Sequence, residues 1–164
     1  MANYYTTEHV IEILNIKTES LWFLNKNLEL NKHYQYGFSS AGQRTRKFYN
    51  DLGIQKLKSN KQKLEATKKK TYEIYKELSG YDNIAIRKNK AVLTRFGIVE
   101  YFRNKLNKEE ISYLLDRDRA TIYRTVRVLE NDLKYYPENE LEIINKAKEY
   151  CERVNLGELE WKAN

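Results

Sequence analysis

Between Arg117 and Arg127 the chain sets four arginines, Arg117, Arg119, Arg124 and Arg127, on one short segment with Asp118, Ala120, Thr121 and Tyr123. An arginine guanidinium stays charged in proteins and presents a planar fork of N–H donors suited to phosphates and base edges, so this is chemistry of recognition rather than of proton transfer. Its spacing gives it a direction. Ile122, Val126, Leu129 and Leu133 recur at four, three and four residues and share one side of a helix, whereas Arg119, Tyr123 and Arg127 recur at fours on a second face with Arg124 adjoining. The segment therefore reads as a helix with an apolar back and a basic, aromatic front.

Other chemistries are not assembled. The single cysteine, Cys151, has no partner for an intramolecular disulfide, and His9 and His33 lack the spacing of a zinc site. The six glycines are dispersed rather than gathered into a phosphate-cradling loop, and no serine elbow or Cys/His pair suggests a nucleophile. Acidic pairs such as Glu109 and Glu110 are what a solvated helix face supplies in a chain so charged. Neither an enzyme nor a cofactor-binding protein is expected.

The elements that must carry the arginine segment follow from the same pattern. Leu93, Phe96, Val99 and Phe102 form an apolar stripe on a helix beginning at Lys90. Asn107, with Glu110 three residues on, resembles a capping box for a second helix whose apolar face is Ile111, Leu114 and Leu115. Asp116-Arg117-Asp118 breaks that helix, and Asp118 is suited to cap the arginine-bearing one. Pro137, at a predicted first helical position, opens a last helix with Leu141, Ile144, Ala147, Cys151 and Val154 inward. The order is helix, short helix, tight turn, longer helix, which is that of a helix-turn-helix whose last member can enter a major groove.

At the other end, Thr6 or Thr7 is an N-cap for a short helix with Val10, Ile11 and Leu14 on one face, and Thr18 caps another that contains Leu21 and Leu24. The run KHYQYGFSSAGQRTRKFYN then reads as two strands joined at Ser39-Ser40-Ala41-Gly42. Residues 54–79 lack Pro and Gly and predict one long charged helix ending at Ser79-Gly80. Leu57, Leu64, Thr71 and Leu78 recur at sevens in it, but Asn60 and Thr67 interrupt the companion positions, so a sustained coiled coil is not expected.

Two resemblances follow. EISYLLDRDRATIYRTVRVLEN resembles the C-terminal DNA-binding domain of the bacterial replication initiator DnaA, over roughly residues 87–134. The likeness implies that Arg117, Asp118, Arg119, Ala120 and Thr121 open a recognition helix and that Arg124 contacts DNA, with Arg87, Lys88 or Lys90 taking the minor-groove role. Arg119 stands where that family has His, and Ala120 where it has a hydroxyl residue, so the initiator's own box is not the expected target; nothing resembling an ATPase domain precedes the match. YYTTEHVIEILNIKTESLWFLNK and NKHYQYGFSSAGQRTRKFYNDLGIQKL are similar to the winged helix-turn-helix of phage excisionases and MerR-type regulators. That likeness implies that Lys17, Thr18 and Ser20 open a reading helix and that Gln43, Arg44, Arg46 and Lys47 form a backbone-gripping wing. Trp22 and Phe23 depart from it, standing where polar or basic residues are usual, and are candidates for covering the wing, packing on the second module or binding a partner protein.

The whole chain agrees with a polyanionic partner. Its 164 residues carry a net charge of +7 and a pI near 9.3. No apolar run is long enough to span a bilayer, and the first ten residues lack the regions of a signal peptide, so a cytoplasmic protein without a membrane partner is expected. The expected fold is mainly α: a winged helix-turn-helix over 1–53, a connecting helix over 54–80, a DnaA-C-terminal-like helix-turn-helix with an extra helix over 84–155, and a tail over 156–164. A helix from Ile54 to Ser79 is about 39 Å long, close to the roughly 34–36 Å of one DNA turn, which would let the two modules read successive grooves. The expected function is sequence-dependent binding of double-stranded DNA in a phage or mobile element. The alternative is a structural or adaptor protein that oligomerises and recruits a partner; a homo-oligomer is open under both.

Overall fold

In the computed structural model, which describes residues 1–38, 44–154 and 156, the hairpin expected from the sequence gains a third strand. β2 (Tyr34–Phe38) and β3 (Thr45–Asn50) pair antiparallel, with Tyr34 opposite Tyr49 and Tyr36 opposite Lys47, and β1 (Tyr4–Thr6) pairs with the other edge of β3. Three residues are too few to show a strand period, which is why β1 is invisible in the sequence. Seven helices complete the described residues, so the fold is mainly α with a small sheet. The chain divides into two compact units, Met1–Lys63 and Leu64–Leu159, and the 29-residue α3 (Asp51–Ser79) contributes residues to both.

In the first unit, α1 (Thr7–Leu14) starts where the Thr6 hydroxyl accepts the His9 N–H and stops at Asn15, whose left-handed backbone (φ +49°) ends the helix. The start of α2 (Thr18–Leu24) corrects one expectation. Lys17 holds the N-cap position with no side-chain bond, and Thr18 is already helical. Val10, Leu14, Leu21, Phe23, Leu24, Tyr49, Ile54 and Leu57 are buried together with His33 and Asn60. Asn60 is polar yet enclosed because its Nδ2 donates to the Leu24 carbonyl at the end of α2 (2.9 Å).

α3 begins at Asp51 rather than at Ile54, because Asn50 caps it. Its Oδ1 accepts the Gly53 N–H (2.9 Å) while its Nδ2 donates to the Lys32 carbonyl (2.7 Å). Glycine is needed at 53, since a Cβ would stand 2.2 Å from the His33 carbonyl oxygen. Beside this contact, His33 Nδ1 accepts the Glu29 N–H (2.9 Å), and burial lowers the imidazole pKa from its ordinary 6.5.

In the second unit, α3 ends at Gly80 (φ +78°), whose N–H bonds the Lys76 carbonyl. Leu64, Thr67, Thr71 and Ile74 are buried, so the positions that recur along this helix are covered by the chain itself. α4 (Asn89–Phe102), α5 (Lys108–Leu114), α6 (Arg119–Asn131) and α7 (Glu138–Arg153) follow, with a single 3-10 turn at Leu133–Tyr135. Leu93, Ile98, Val99 and Phe102 of α4 are buried, as are Ile144, Ala147 and Cys151 of α7, and the two helices pack closely. The Cys151 thiol, pushed up to about 12 by burial, is a core group.

Several details differ from the sequence reading: Phe96 and Leu141, expected to face inward, are only half-buried. Pro137 is the N-cap of α7 rather than its first helical residue; Val154 lies beyond the last residue of α7 and is exposed; Leu133 falls in the 3-10 turn and is only half-buried. Among the described residues no helix is long and apolar enough to cross a membrane.

Two outcomes are expected. A Cβ at Gly97 would stand 2.2 Å from the Ile144 carbonyl and 2.6 Å from Ala147 Cβ. Gly97→Ala should therefore force α4 and α7 apart and destabilise the fold by about 1–3 kcal/mol in urea unfolding. The second concerns pH. Because the fold holds His33 neutral, unfolding takes up a proton between the lowered folded pKa and 6.5. The contribution is complete above pH 6.5 and is lost as pH falls through the folded pKa, so urea midpoints should begin to drop as pH falls below 6.5 and stop dropping once it is below the folded pKa. His33→Gln should flatten this part of the profile.

Candidate nucleic-acid interface

α5, the turn after it and α6 form a helix-turn-helix in which each helix is capped by a side chain at its N-terminus. The Asn107 Oδ1 accepts the Glu110 N–H (2.8 Å) to open α5. Asp116 takes a left-handed backbone (φ +49°) and the Arg117 N–H returns to the Ser112 carbonyl (3.1 Å), which turns the chain. Asp118 then opens α6: one carboxylate oxygen accepts the Thr121 N–H (2.7 Å) and the other the Thr121 hydroxyl (2.6 Å). Those two bonds hold its carboxyl below the ordinary Asp value of 3.8.

With α6 anchored, its sides separate. Ile122, Thr125, Val126 and Leu129 are buried, while Arg119, Ala120, Tyr123, Arg124 and Arg127 are exposed. At the helix start, Arg119 Nη2 donates to the Tyr123 hydroxyl (3.0 Å) and lies 2.8 Å from Glu109 Oε1. Lys108 Nζ stands 4.3 Å from the centre of the Tyr123 ring, and the Arg119 guanidinium carbon 5.2 Å from it. Arg117 belongs to a different setting. It is half-buried and its Nε is enclosed without a hydrogen bond, so it lies partly behind the front that Arg119, Arg124 and Arg127 share.

A second cationic group surrounds the start of α4. Arg87, Lys88 and Lys90 are all exposed, at or next to the end of a loop tied down along its length. The Tyr72 hydroxyl donates to the Asp82 carbonyl and the Tyr75 hydroxyl to that of Asn83, both at 2.8 Å. Arg95 Nη1, from the buried side of α4, donates to the carbonyls of Ile84 (2.6 Å) and Ile86 (3.0 Å). Sequence reasoning missed Arg95, although a charge at its position inside the Leu93–Phe96–Val99 stripe was the available signal.

In the first unit the expected residues are spread over different settings. Lys17 and Thr18 are exposed at the start of α2 and Ser20 is half-buried. Trp22 is 72% exposed, but Phe23 is 6% exposed and packs in the core, so of the two aromatics only Trp22 is open to solvent and the expectation for Phe23 is corrected. On the hairpin, Arg44 is exposed, Arg46 lies 3.8 Å from Glu8, and Lys47 folds over the Tyr34 ring (3.9 Å) with its pKa lowered by burial. Gln43 and the Ser39–Gly42 tip lie outside the described residues. Tyr36 and Phe38, not singled out from the sequence, project from β2, and Phe38 is 78% exposed.

Charge is distributed unevenly. Residues 1–63 have ten Lys/Arg against five Asp/Glu, and residues 64–159 have nineteen against seventeen. The net charge of the second unit is thus close to zero, and its cations stand out only where they are segregated locally, as on α6. Comparison with protein families, with curated proteins and with solved structures finds no match.

The cap generates a prediction. Asp118→Ala should lower the urea midpoint without changing the slope, whereas Asp118→Asn, which keeps an acceptor for the Thr121 N–H, should retain most of the stability.

Proposed function

We propose that the chain is a sequence-dependent double-stranded DNA-binding protein in which α6 enters the major groove. One observation carries this reading: residues 119–127 hold three arginines and no carboxylate, on a helix whose opposite side is buried. A major groove about 12 Å wide admits one such helix. Arg119, Ala120, Thr121 and Tyr123 then face bases near its N-terminus, Arg124 one turn on, and Arg127 a phosphate. Arg87, Lys88 and Lys90 lie along the backbone or in a minor groove, while Lys17, Arg44, Arg46 and Lys47 of the more basic first unit add sequence-independent attraction.

The resemblance of the first unit to excisionases supports a place in a phage or other mobile element, as a transcriptional regulator or an accessory factor in excision or replication. The protein acts without a cofactor in the cytoplasm of a bacterial or phage-infected cell.

Selection of bound duplexes from a random pool tests the reading, with affinities of the enriched sequences followed against salt. A shared motif with a steep salt slope is expected. Arg124→Ala should weaken the enriched duplex by about 1–3 kcal/mol and relax specificity at one position, while wing substitutions weaken all sequences alike. Equal losses on every sequence for Arg124→Ala would count against base reading by α6.

Trp22 favours a second reading. α2 carries Glu19 and no Lys or Arg, and presents this indole to solvent, which suits a protein partner better than DNA. Under that reading the chain is a small packaging subunit or adaptor. A ring-sized native mass with little duplex binding supports it, and a monomer or dimer with tight binding opposes it.

A further inference from the structure

Arg119 is the first residue of α6, and its side chain is 63% exposed, yet its working edge is engaged. Nη2 has two hydrogens, and two acceptors stand at that nitrogen: Glu109 Oε1 at 2.8 Å and the Tyr123 hydroxyl at 3.0 Å. A guanidinium that grips a phosphate or a guanine with two parallel bonds uses Nη2 together with Nη1 or Nε. Either contact therefore requires Nη2 to give up Glu109 or Tyr123, and while Glu109 stays paired its charge offsets the cation that a phosphate would meet. The acid comes from the first turn of α5, where the helix dipole favours its charge, and its side chain is only 23% exposed. Tyr123 fixes the arginine from the other side. An ordinary exposed ion pair lacks such a third partner and is weak.

We infer that Glu109 is a built-in counter-anion for Arg119, which withholds this arginine from phosphates and releases it when a base offers two acceptors in register. The inference rests on the DNA-binding reading above. DNA of the wrong sequence can be held while the Glu109 pair stays closed, so the chain then binds with one effective cation fewer. On the correct sequence the bidentate contact replaces the pair. Glu109 is thus a specificity-determining residue that itself need not touch DNA.

The experiment is a set of salt titrations on a duplex of mixed sequence and on the duplex enriched by selection, with the full chain and with Glu109→Gln, Arg119→Ala and the double variant. Glu109→Gln should bind the mixed duplex several-fold tighter at low salt. Its slope of log affinity against log salt should steepen by about 0.9, the release expected for one added phosphate contact. The enriched duplex should gain less, so the ratio between the two narrows. In the Arg119→Ala background the Glu109 change should leave the slope unaltered. Glu109→Asp, which keeps the acidic first turn but shortens the reach, should shift binding in the same direction and serves if the Gln variant does not fold. An unchanged slope in both variants overturns the inference while leaving DNA recognition standing. So does a gain of equal size with and without Arg119, which would be removal of a negative charge and nothing more. Failure of every protein to retain the enriched or the mixed duplex overturns both the inference and the DNA-binding reading.

Discussion

The direction of α6 depends on one carboxylate. Asp118 satisfies the Thr121 N–H and hydroxyl together, directly after a turn in which Asp116 adopts a left-handed backbone. These two constraints place the first helical residue, and the 3.6-residue period does the rest. Ile122, Val126 and Leu129 go inward and Arg119, Tyr123 and Arg127 outward because the helix starts where it does. A start displaced by one residue would rotate every side chain by about 100° and turn arginines toward the core. The cap is therefore as much a statement about which face is presented as about helix stability.

Burial, more than residue type, decides what each cation can do. Arg95 and Arg117 are arginines of the same unit as Arg119, yet Arg95 is spent on the carbonyls of Ile84 and Ile86 and Arg117 is partly enclosed. A buried guanidinium without a carboxylate is tolerable only where several carbonyl and hydroxyl oxygens replace its water, which the loop and the Tyr75 hydroxyl do for Arg95. The return is a loop held in place just ahead of Arg87 and Lys88. Arg103 shows a third use, bonded to Glu100 at the end of α4. The basic residues on the open side of α6 and around the start of α4 are exposed instead.

Much of this was legible in the sequence, for definite reasons. Asn107 and Asp118 were readable as caps because short polar side chains before an apolar-periodic run have few other uses, and the spacing of Ile122, Val126 and Leu129 defined the back of α6. The third strand was not legible, because three residues carry no period. The start of α3 is not legible, because Gly53 looks like a break until the His33 carbonyl that requires it is known. Trp22 and Phe23 read as a pair in the sequence because neighbours on a helix differ by about 100° and sequence alone does not say which of the two faces inward.

The Glu109–Arg119–Tyr123 set was beyond sequence reading for a related reason. Glu109 lies ten positions before Arg119, on another helix, and in a chain with 23 acidic residues it looks like any solvated carboxylate. What distinguishes it is the turn at residues 115–118, which folds the start of α6 back toward the first turn of α5. The same turn that aims α6 outward thus delivers an acid to its first arginine. Presentation of the basic face and restraint of its leading residue arise from one piece of backbone. If that turn were opened, the arginine would be freed at the same moment that it lost its aim.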